Sequence, residues 1–302
     1  MGGTGKTPLA QYLIQQFLGK GFRVAYISRG YGRKTTGLKI AHNNVSVKDF
    51  GDEAALMTRY FPECLVIVSE NRRTAIRKAF EICGPKCVVV LDDAFQQLRI
   101  KVCFSIVLIS GRDLTIPRMI IPAGRLREPL SSVRRADFVI LTKLKNSSIQ
   151  SLPSALEGLY ICQGDVNITG FRIGFTQRKY QPNGTENFFV FCGIGDAAHF
   201  LNTVQKFGSV VRKRIFADHH WYSDSDLREL LTDFELIPEE KKYMVTTAKD
   251  FIRIEELAES KQIFSEITLL IAEAEFVFKN KAQEEFFISS IYDRCRIKEI
   301  FK

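Results

Sequence analysis

A glycine-rich loop opens the chain and constrains its fold more than any other feature. The sequence begins MGGTGKTPLAQYLIQQFLGKG, in which GGTGKT runs directly into a helical pattern. Glycines let the backbone curl until its N–H groups face phosphate oxygens, while the lysine reaches the β- and γ-phosphates and the threonine hydroxyl holds Mg²⁺. The sequence therefore predicts a site for nucleotide phosphates. Its predicted residues are Gly2, Gly3, Thr4, Gly5, Lys6 and Thr7, with Thr7 also a metal ligand.

Continuous apolar runs alternate with helical patterns after this loop. Apolar residues at three- and four-residue spacing predict a helix from Leu9 to Phe17, and the glycines at 19 and 21 predict its end. Runs that are apolar at every position indicate strands buried on both faces of a parallel sheet. They lie at 22–28, 64–70, 87–93, 103–110 and 137–143. The pattern predicts an α/β fold in which a P-loop domain has a parallel sheet covered by helices.

The composition becomes looser and more polar from about residue 145, and a second set of strand and helix patterns follows. We therefore predict a P-loop domain at 1–165, a linker at 166–186 and a smaller second α/β domain at 187–280. The remaining residues, 281–302, form a C-terminal segment, with its return to the first domain left open.

Charge and cysteine content limit the partners and the compartment. Lys and Arg number 43 against 34 Asp and Glu, so the net charge is +9, which suits nucleotide phosphates or an anionic membrane surface. No aromatic platform or recognised motif accompanies this charge, so we expect no nucleic-acid partner.

We see no apolar run of about 18 residues and no signal peptide, and we expect the printed chain to be soluble. The seven cysteines form no CxxC pair, which favours free thiols.

Three aspartates and one histidine stand where chemistry is expected. Asp92 and Asp93 follow a buried strand in VVVLDD, so their side chains lie at the carboxyl edge of a sheet, where they can hold Mg²⁺ or form only an acidic turn. Asp52 precedes a helical pattern, so it is a helix cap or a catalytic carboxylate. His219 follows an aspartate at a predicted strand end, where it is either a surface histidine or the partner of a catalytic base.

Taken in order, these segments resemble one family over nearly the whole chain. The motifs are GGTGKTP, SRGYG, GDEAAL, ENRRTA, LDDAFQ, PAGRLREP, DHHWYS and TTAKD. Together they are similar to the tetraacyldisaccharide 4'-kinases of lipid A biosynthesis. The resemblance implies a P-loop kinase that transfers the γ-phosphate of ATP, with Mg²⁺, to the 4'-hydroxyl of a tetraacylated glucosamine disaccharide 1-phosphate. It also implies work at the cytoplasmic face of the Gram-negative inner membrane, where the lipid A disaccharide precursor lies.

The resemblance also implies individual roles. Asp52 matches the family's general base and His219 its partner. Asp92 and Asp93 match the acidic pair, and Glu128 a residue near the metal. Four further residues fall in motifs expected to contact phosphate or sugar, without an individual contact assigned to each: Arg29, Tyr31, Arg72 and Arg127. We expect a monomer.

Two departures from the family pattern affect the prediction. Gln97 stands where the family usually has histidine, which puts a proton-handling role at that position in doubt. Family members also begin with a membrane-associated helix and a strand that leads into the P-loop, and neither precedes Gly2 here. We therefore expect residues 1–302 alone to bind anionic vesicles weakly and to have little kinase activity. The alternatives are a truncated, inactive nucleotide-binding fragment or a P-loop ATPase of the partitioning type.

Overall fold

The computed structural model describes residues 3–43, 45–115, 120, 126–144 and 153–295. It contains strands β1 (Val24–Ser28), β2 (Lys39–Ile40), β3 (Leu65–Val68), β4 (Val88–Leu91), β5 (Ile106–Ser110), β6 (Phe138–Thr142), β7 (Tyr160–Ile173), β8 (Lys179–Tyr180), β9 (Asn187–Cys192), β10 (Ser209–Ile215), β11 (Lys242–Thr247) and β12 (Leu269–Phe278). The helices are α1 (Lys6–Gly19), α2 (Val47–Phe50), α3 (Asp52–Tyr60), α4 (Arg72–Cys83), α5 (Gly111–Thr115), α6 (Ala197–Val204), α7 (Asp224–Glu235), α8 (Ala248–Ile254), α9 (Ser260–Ile263) and α10 (Lys281–Cys295), with 3₁₀ turns at Leu130–Arg135 and Ser154–Leu156.

The strands form two sheets in which parallel pairing dominates. The first has the order β2-β3-β1-β4, and β1 pairs in parallel with both of its neighbours. The second has the order β10-β9-β11-β12-β7-β6-β5, with β8 attached to β7. All pairs along its main path are parallel except β12 with β7. The α/β fold with parallel strands under helices is as the sequence predicts.

The long strand β7 joins the two predicted halves of the chain. Its first residues pair with β6, and the stretch from Gly164 onward pairs with β12. The stretch expected to be a linker, 166–186, contains the second part of β7 and strand β8. A single sheet runs through both halves, and the division into domains stays a prediction.

Helix α10 packs against the elements of the first half. Phe287 is fully buried in the core cluster that contains Leu13 and Ile14 of α1, and Tyr12 donates a hydrogen bond to Glu284 at 2.7 Å. The C-terminal segment that the sequence left open thus contacts the P-loop helix as far as Cys295, where the described residues end.

Cys103, just before β5, forms a disulfide with Cys295 at the end of α10. The prediction of free thiols is wrong for this pair, because the fold brings together two cysteines that are remote in the sequence. Cys64, Cys83, Cys87, Cys162 and Cys192 are free.

A groove lies where the two sheets end beside each other. β4 is the last strand of the first sheet and β5 the last of the second, and a cavity of about 1160 Å³ is lined by residues of both. Most of its wall is apolar, but it reaches Lys6, Asp92 and Asp93 at the carboxyl end of β4. In the part of the chain that the structure describes, no helix is long and apolar enough to cross a membrane.

Candidate active site

The glycine-rich loop adopts the tight backbone that its sequence predicts. Gly3 has φ 75° and Gly5 φ 92°, in the left-handed region that glycine enters without strain. A side chain at Gly3 would also bring a Cβ to 3.0 Å from Cβ of Asp196. Gly5 is the N-cap of α1, so the first N–H groups of that helix face the loop, which suits an anion. Gly2 lies outside the described residues.

Residues at the end of β6 hold this loop from the second sheet. The Thr142 hydroxyl donates to the carbonyl oxygen of Thr4 at 3.3 Å, and the Lys143 ammonium donates to the carbonyl of Gly3. Lys143 also pairs with Asp196. The phosphate loop is therefore fixed by the carboxyl edge of the second sheet, a role for Lys143 that the sequence did not suggest.

Lys6 and Arg127 share the carboxylate of Asp93. Nζ of Lys6 lies 2.9 Å from Oδ1, and Nη1 of Arg127 lies 2.6 Å from Oδ2. Burial opposes ionisation, but the bonds to Lys6 and Arg127 outweigh it and lower the pKa of Asp93 to about 2. Asp93 is thus an anion that holds two cations beside the phosphate loop.

Asp92 is buried at the same edge, at 7% exposure. The Tyr26 hydroxyl donates to Oδ2 of Asp92 at 2.7 Å, and Nη2 of Arg72 lies 3.4 Å from the Asp92 carbonyl oxygen. Burial raises the pKa of Asp92 to about 6, and the negative charge of Glu53 contributes to this shift. Burial of both Asp92 and Arg72 places an acid and a cation on the inner side of the site.

Thr7 is connected to helix α3 through Glu53. The Thr7 hydroxyl donates to Oε1 of Glu53 at 3.0 Å, and Nζ of Lys249 lies 2.8 Å from the same oxygen. Burial opposes the negative charge, but the charge of Lys249 outweighs it and lowers the pKa of Glu53. The hydroxyl hydrogen is therefore committed to Glu53, which leaves the oxygen lone pairs of Thr7 for a metal ion.

Helix α3 begins where the loop after β1 approaches it. Gly51, its N-cap, has φ 83°, and a Cβ there would lie 2.8 Å from the carbonyl oxygen of Tyr31. Only glycine permits this approach without strain. The next residue, Asp52, is therefore held in the first turn of α3 beside the RGYG loop.

Asp52 meets two residues from the second half of the chain. Its Oδ2 lies 3.2 Å from Nδ1 of His219 and accepts a hydrogen bond from Arg253, while its Oδ1 accepts from the backbone N–H of Glu53 at 2.9 Å. Nη2 of Arg253 also lies 3.1 Å from Nδ1 of His219. Asp52 is 3% exposed, whereas the His219 side chain is 33% exposed. The ring of His219, not the carboxylate, is the part of this pair that faces solvent.

Asp52 and His219 each stabilise the charged form of the other. Burial opposes the charge of Asp52, but the hydrogen bond with His219 and the charges of Lys249 and Arg253 outweigh it and lower the pKa of Asp52. The hydrogen bond with Asp52 in turn raises the pKa of His219. An ionised carboxylate that stabilises an imidazolium can help a histidine take up a proton.

The other predicted residues lie around this centre. The ring of Tyr31, 68% exposed, has its centroid 5.1 Å from that of His219. Arg29 is exposed just after β1. Glu128 accepts a hydrogen bond from Arg135 at 2.6 Å.

Gln97, the residue in place of the family's histidine, is exposed in the turn that follows β4. Its backbone N–H donates to the carbonyl oxygen of Ala94 at 2.8 Å. Nothing in the structure explains the difference from histidine.

The residues at the phosphate loop fit Mg²⁺, although the described residues contain no cluster of three or more His, Cys, Asp or Glu side chains that could hold a metal ion alone. Mg²⁺ prefers oxygen ligands and is commonly held by one or two carboxylates together with substrate phosphates. Thr7 and Asp92 supply such oxygens beside the loop, and the Thr7 hydroxyl has its hydrogen directed to Glu53.

Besides Lys143, three residues of this site were missed from the sequence. Glu53 adjoins Asp52 but carried no pattern of its own, while Lys249 and Arg253 belong to the TTAKDFIR segment, of which only TTAKD was noted as a motif. Their spacing of four residues on α8 is the signal that could have found them, since such residues share one helix face.

One protein family matches nearly the whole chain. The model of the family described as Tetraacyldisaccharide-1-P 4'-kinase matches residues 1–292. The chain belongs to this family. The resemblance that the motifs indicated is thereby confirmed.

Individual members of this kinase family agree. A tetraacyldisaccharide 4'-kinase of Parabacteroides distasonis is 33% identical over 277 residues, covering 85% of this chain and 73% of the relative. One from Chlorobium phaeovibrioides is 34% identical over 266 residues, covering 84% and 74%. The crystal structure titled as the "apo" form of LpxK from Aquifex aeolicus in complex with ATP is similar with a TM-score of 0.71 at 27% identity, covering 97% of this chain and 85% of that one. The chain is thus a kinase with the fold of that enzyme.

Proposed function

We propose that this kinase transfers the γ-phosphate of ATP to the 4'-hydroxyl of the tetraacylated disaccharide 1-phosphate through Lys6, Thr7, Asp52 and His219. One observation carries the proposal. The adjacent residues Asp52 and Glu53 reach, respectively, His219 at 3.2 Å and the P-loop threonine Thr7 at 3.0 Å. Two adjacent residues of α3 therefore hold a group that can take up a proton and a group that binds the phosphate end of a nucleotide.

ATP binding falls to the loop and to the cations around it. Backbone N–H groups from Gly3 to Lys6 face the β- and γ-phosphates, and Lys6 exchanges its partner Asp93 for them. Arg127 stays on Asp93 and Arg72 lies behind it. Phosphoryl transfer requires little covalent help from the protein, so positioning and positive charge carry most of the catalysis.

Thr7 and Asp92 would hold Mg²⁺, with Asp93 and Glu128 as the further candidates that the family pattern implies. The ion would neutralise charge on the transferred phosphate. Glu53 fixes the Thr7 hydroxyl in the orientation that this requires.

The acceptor hydroxyl gives up its proton to the Asp52–His219 pair. Asp52 is the predicted base, but both of its oxygens already accept hydrogen bonds, and it is nearly closed to solvent. We place the exposed ring of His219 against the hydroxyl, where Nε2 accepts the proton while Asp52 holds Nδ1–H and stabilises the imidazolium. The two residues then act as one unit.

The lipid acceptor approaches from the exposed side of His219. Tyr31 lies beside that ring, and both Tyr31 and Arg29 come just after β1. Both residues are therefore placed to contact the disaccharide. Because the acyl chains stay in the bilayer, the kinase works at the membrane surface, and its net charge of +9 favours an anionic leaflet. We place it on the cytoplasmic face of the inner membrane as a monomer.

The test is phosphate transfer by the protein expressed from its complete gene. With ATP, Mg²⁺ and the tetraacyldisaccharide 1-phosphate, the wild type should form a bisphosphorylated lipid, and Lys6→Ala should form almost none. Lys261→Ala removes an exposed lysine far along the chain and should match the wild type. Equal rates for Lys6→Ala and Lys261→Ala would contradict the assignment of the P-loop.

A further inference from the structure

One short helix of the second half of the chain delivers two cations to two consecutive carboxylates of the first half. Lys249 and Arg253 lie one helical turn apart on α8, and they face Glu53 and Asp52 at the start of α3. Residues at this spacing share one helix face. The two contacts therefore form a single interface between α8 and the end of α3 that carries the predicted base.

Arg253 holds the Asp52–His219 pair in place. It is only 6% exposed and donates to Oδ2 of Asp52, with the same nitrogen 3.1 Å from Nδ1 of His219. On its other side, Nη1 lies 3.6 Å from Oδ1 of the fully buried Asp250 and 3.4 Å from the carbonyl oxygen of His220. The guanidinium is thus fixed from behind and directs one nitrogen at the pair. A planar group with several donors can do this, whereas an ammonium group cannot reproduce its geometry.

Lys249 acts one residue further along α3. Its ammonium nitrogen lies 2.8 Å from Oε1 of Glu53, the same oxygen that accepts the Thr7 hydroxyl. With Lys249 in place, Glu53 has a fixed rotamer and the Thr7 hydrogen a fixed direction. Without it, Glu53 is a partly buried anion free to turn toward other cations, and the Thr7 hydroxyl loses its orientation.

The attachment of α8 to α3 does not depend on these two cations. Arg59 of α3 pairs with Glu255 beyond the end of α8, and Ile252 packs with Val47, Ala55 and Leu56. The interface has its own apolar contacts and a peripheral ion pair. Lys249 and Arg253 can therefore be changed while the two helices remain together, and Arg59 offers a matched control within the same interface.

We propose that Lys249 and Arg253 are positioning residues that divide two tasks: Arg253 orients the Asp52–His219 pair for proton uptake, and Lys249 orients Glu53 and Thr7 for the nucleotide and its metal. This inference rests on the proposed function of Asp52 and Thr7. It assigns α8 to the active site as a support that connects the two halves of the chain.

The Arg253 test separates kcat from KM. Arg253→Met should lower kcat by roughly 10²-fold, the effect of misplacing a catalytic group, while KM for ATP changes by less than about threefold. Arg253→Lys, which keeps the charge, should recover part of the rate, and Arg59→Met should keep the wild-type kcat. A wild-type kcat in Arg253→Met, or an equal loss in Arg59→Met, would overturn the assignment.

The Lys249 test uses binding as well as rate. Lys249→Met should weaken the binding of a fluorescent ATP analogue about tenfold when Mg²⁺ is present and much less when it is absent, and Lys249→Arg should restore most of the difference. Because this readout needs no lipid, it stays informative even if the wild type fails to phosphorylate the acceptor, a result that would refute the proposed function instead. Equal weakening with and without Mg²⁺ would overturn the role of Lys249.

Loss of folding is tested separately. If Arg253→Met alone melts well below the wild type, the double variant Asp52→Asn/Arg253→Met removes the uncompensated buried charge and should recover the melting temperature without recovering kcat. Recovery of both would overturn the positioning role, because neither Arg253 nor the Asp52 carboxylate would then be needed for the rate.

Discussion

Oδ2 of Asp52 lies 3.2 Å from Nδ1 of His219, although the two residues belong to opposite halves of the chain. His219 reaches this position with φ 61°, in the left-handed region that a histidine rarely adopts, and its backbone N–H donates to the carbonyl oxygen of Gly193 at 3.0 Å. The turn that carries His219 is thereby tied to the end of β9. Strain of this kind concentrates at functional sites, where the surrounding structure maintains it.

The first prediction concerns this pair as a unit. Asp52→Ala and His219→Ala should each lower kcat by roughly 10²–10⁴-fold, the usual contribution of a general base, with little effect on ATP binding. The double variant should be little slower than either single variant. Rate measurements in which the two losses multiply would indicate two independent roles.

His220 provides the control for His219. Its Nε2 lies 3.2 Å from Asp226 in the capping box of α7, away from Asp52. His220→Ala should therefore leave kcat within about threefold of the wild type. A loss as large as that of His219→Ala would show that the choice between the adjacent histidines is wrong.

The second prediction is a pH dependence. The hydrogen bond with Asp52 raises the pKa of His219 above its ordinary value of 6.5, and a ring that must accept a proton works only when it is neutral. The value of kcat/KM should thus fall as the pH drops through this raised pKa. In Asp52→Asn the cause of the shift is gone, so the acid limb should move to lower pH while the plateau rate falls. An unchanged limb in that variant would exclude His219 as the titrating group.

The third prediction concerns the anchor of the phosphate loop. Lys143 donates to the carbonyl of Gly3 and pairs with Asp196, so Lys143→Met should leave the loop held from the end of β6 by the Thr142 hydroxyl alone. We expect KM for ATP to rise about tenfold with a smaller change in kcat, since the loop must then be ordered by the nucleotide. Lys143→Arg should lie between the two. An unchanged KM for ATP would show that the loop is held without this contact.

The fourth prediction concerns the C-terminal helix. Phe287 is fully buried in the core, and its ring contacts those of Phe138 and Phe278 at centroid distances of 5.1 Å each. Phe287→Ala should lower the free energy of unfolding by about 3–5 kcal/mol, as for other buried phenylalanines. Phe286→Ala, at a neighbouring residue that is 43% exposed, should have a much smaller effect in denaturant titrations. Equal losses would mean that α10 does not complete this core.

Much of the fold was predictable because its strands are apolar at nearly every position. β1, β3 and β6 follow from runs such as VAYIS and FVILT, and the P-loop fixes the helix that comes after it. The strand β7 was not predictable in the same way. Its sequence, YICQGDVNITGFRI, mixes glycine and polar residues, because it pairs with different neighbours along its length and is only partly buried.

The centre of the site was predictable only where a short motif carries a residue. Asp52 and His219 stand in such motifs, but their contact depends on the path of the chain through both sheets. Arg253 lies beyond the conspicuous part of its segment, and a charged residue on a helix is usually solvated. Only the structure shows that it is buried against Asp52.

The most direct test of the account is the position of the phosphate in the lipid product. The protein, expressed from its complete gene, is incubated with ATP, Mg²⁺ and the tetraacyldisaccharide 1-phosphate, and the purified product is analysed by ³¹P and ¹H NMR. The account predicts a new phosphomonoester on the 4'-oxygen, formed at a rate that drops by roughly 10²–10⁴-fold in Asp52→Ala. Phosphate on another oxygen, release of phosphate to water alone, or equal rates in the wild type and Asp52→Ala would contradict it.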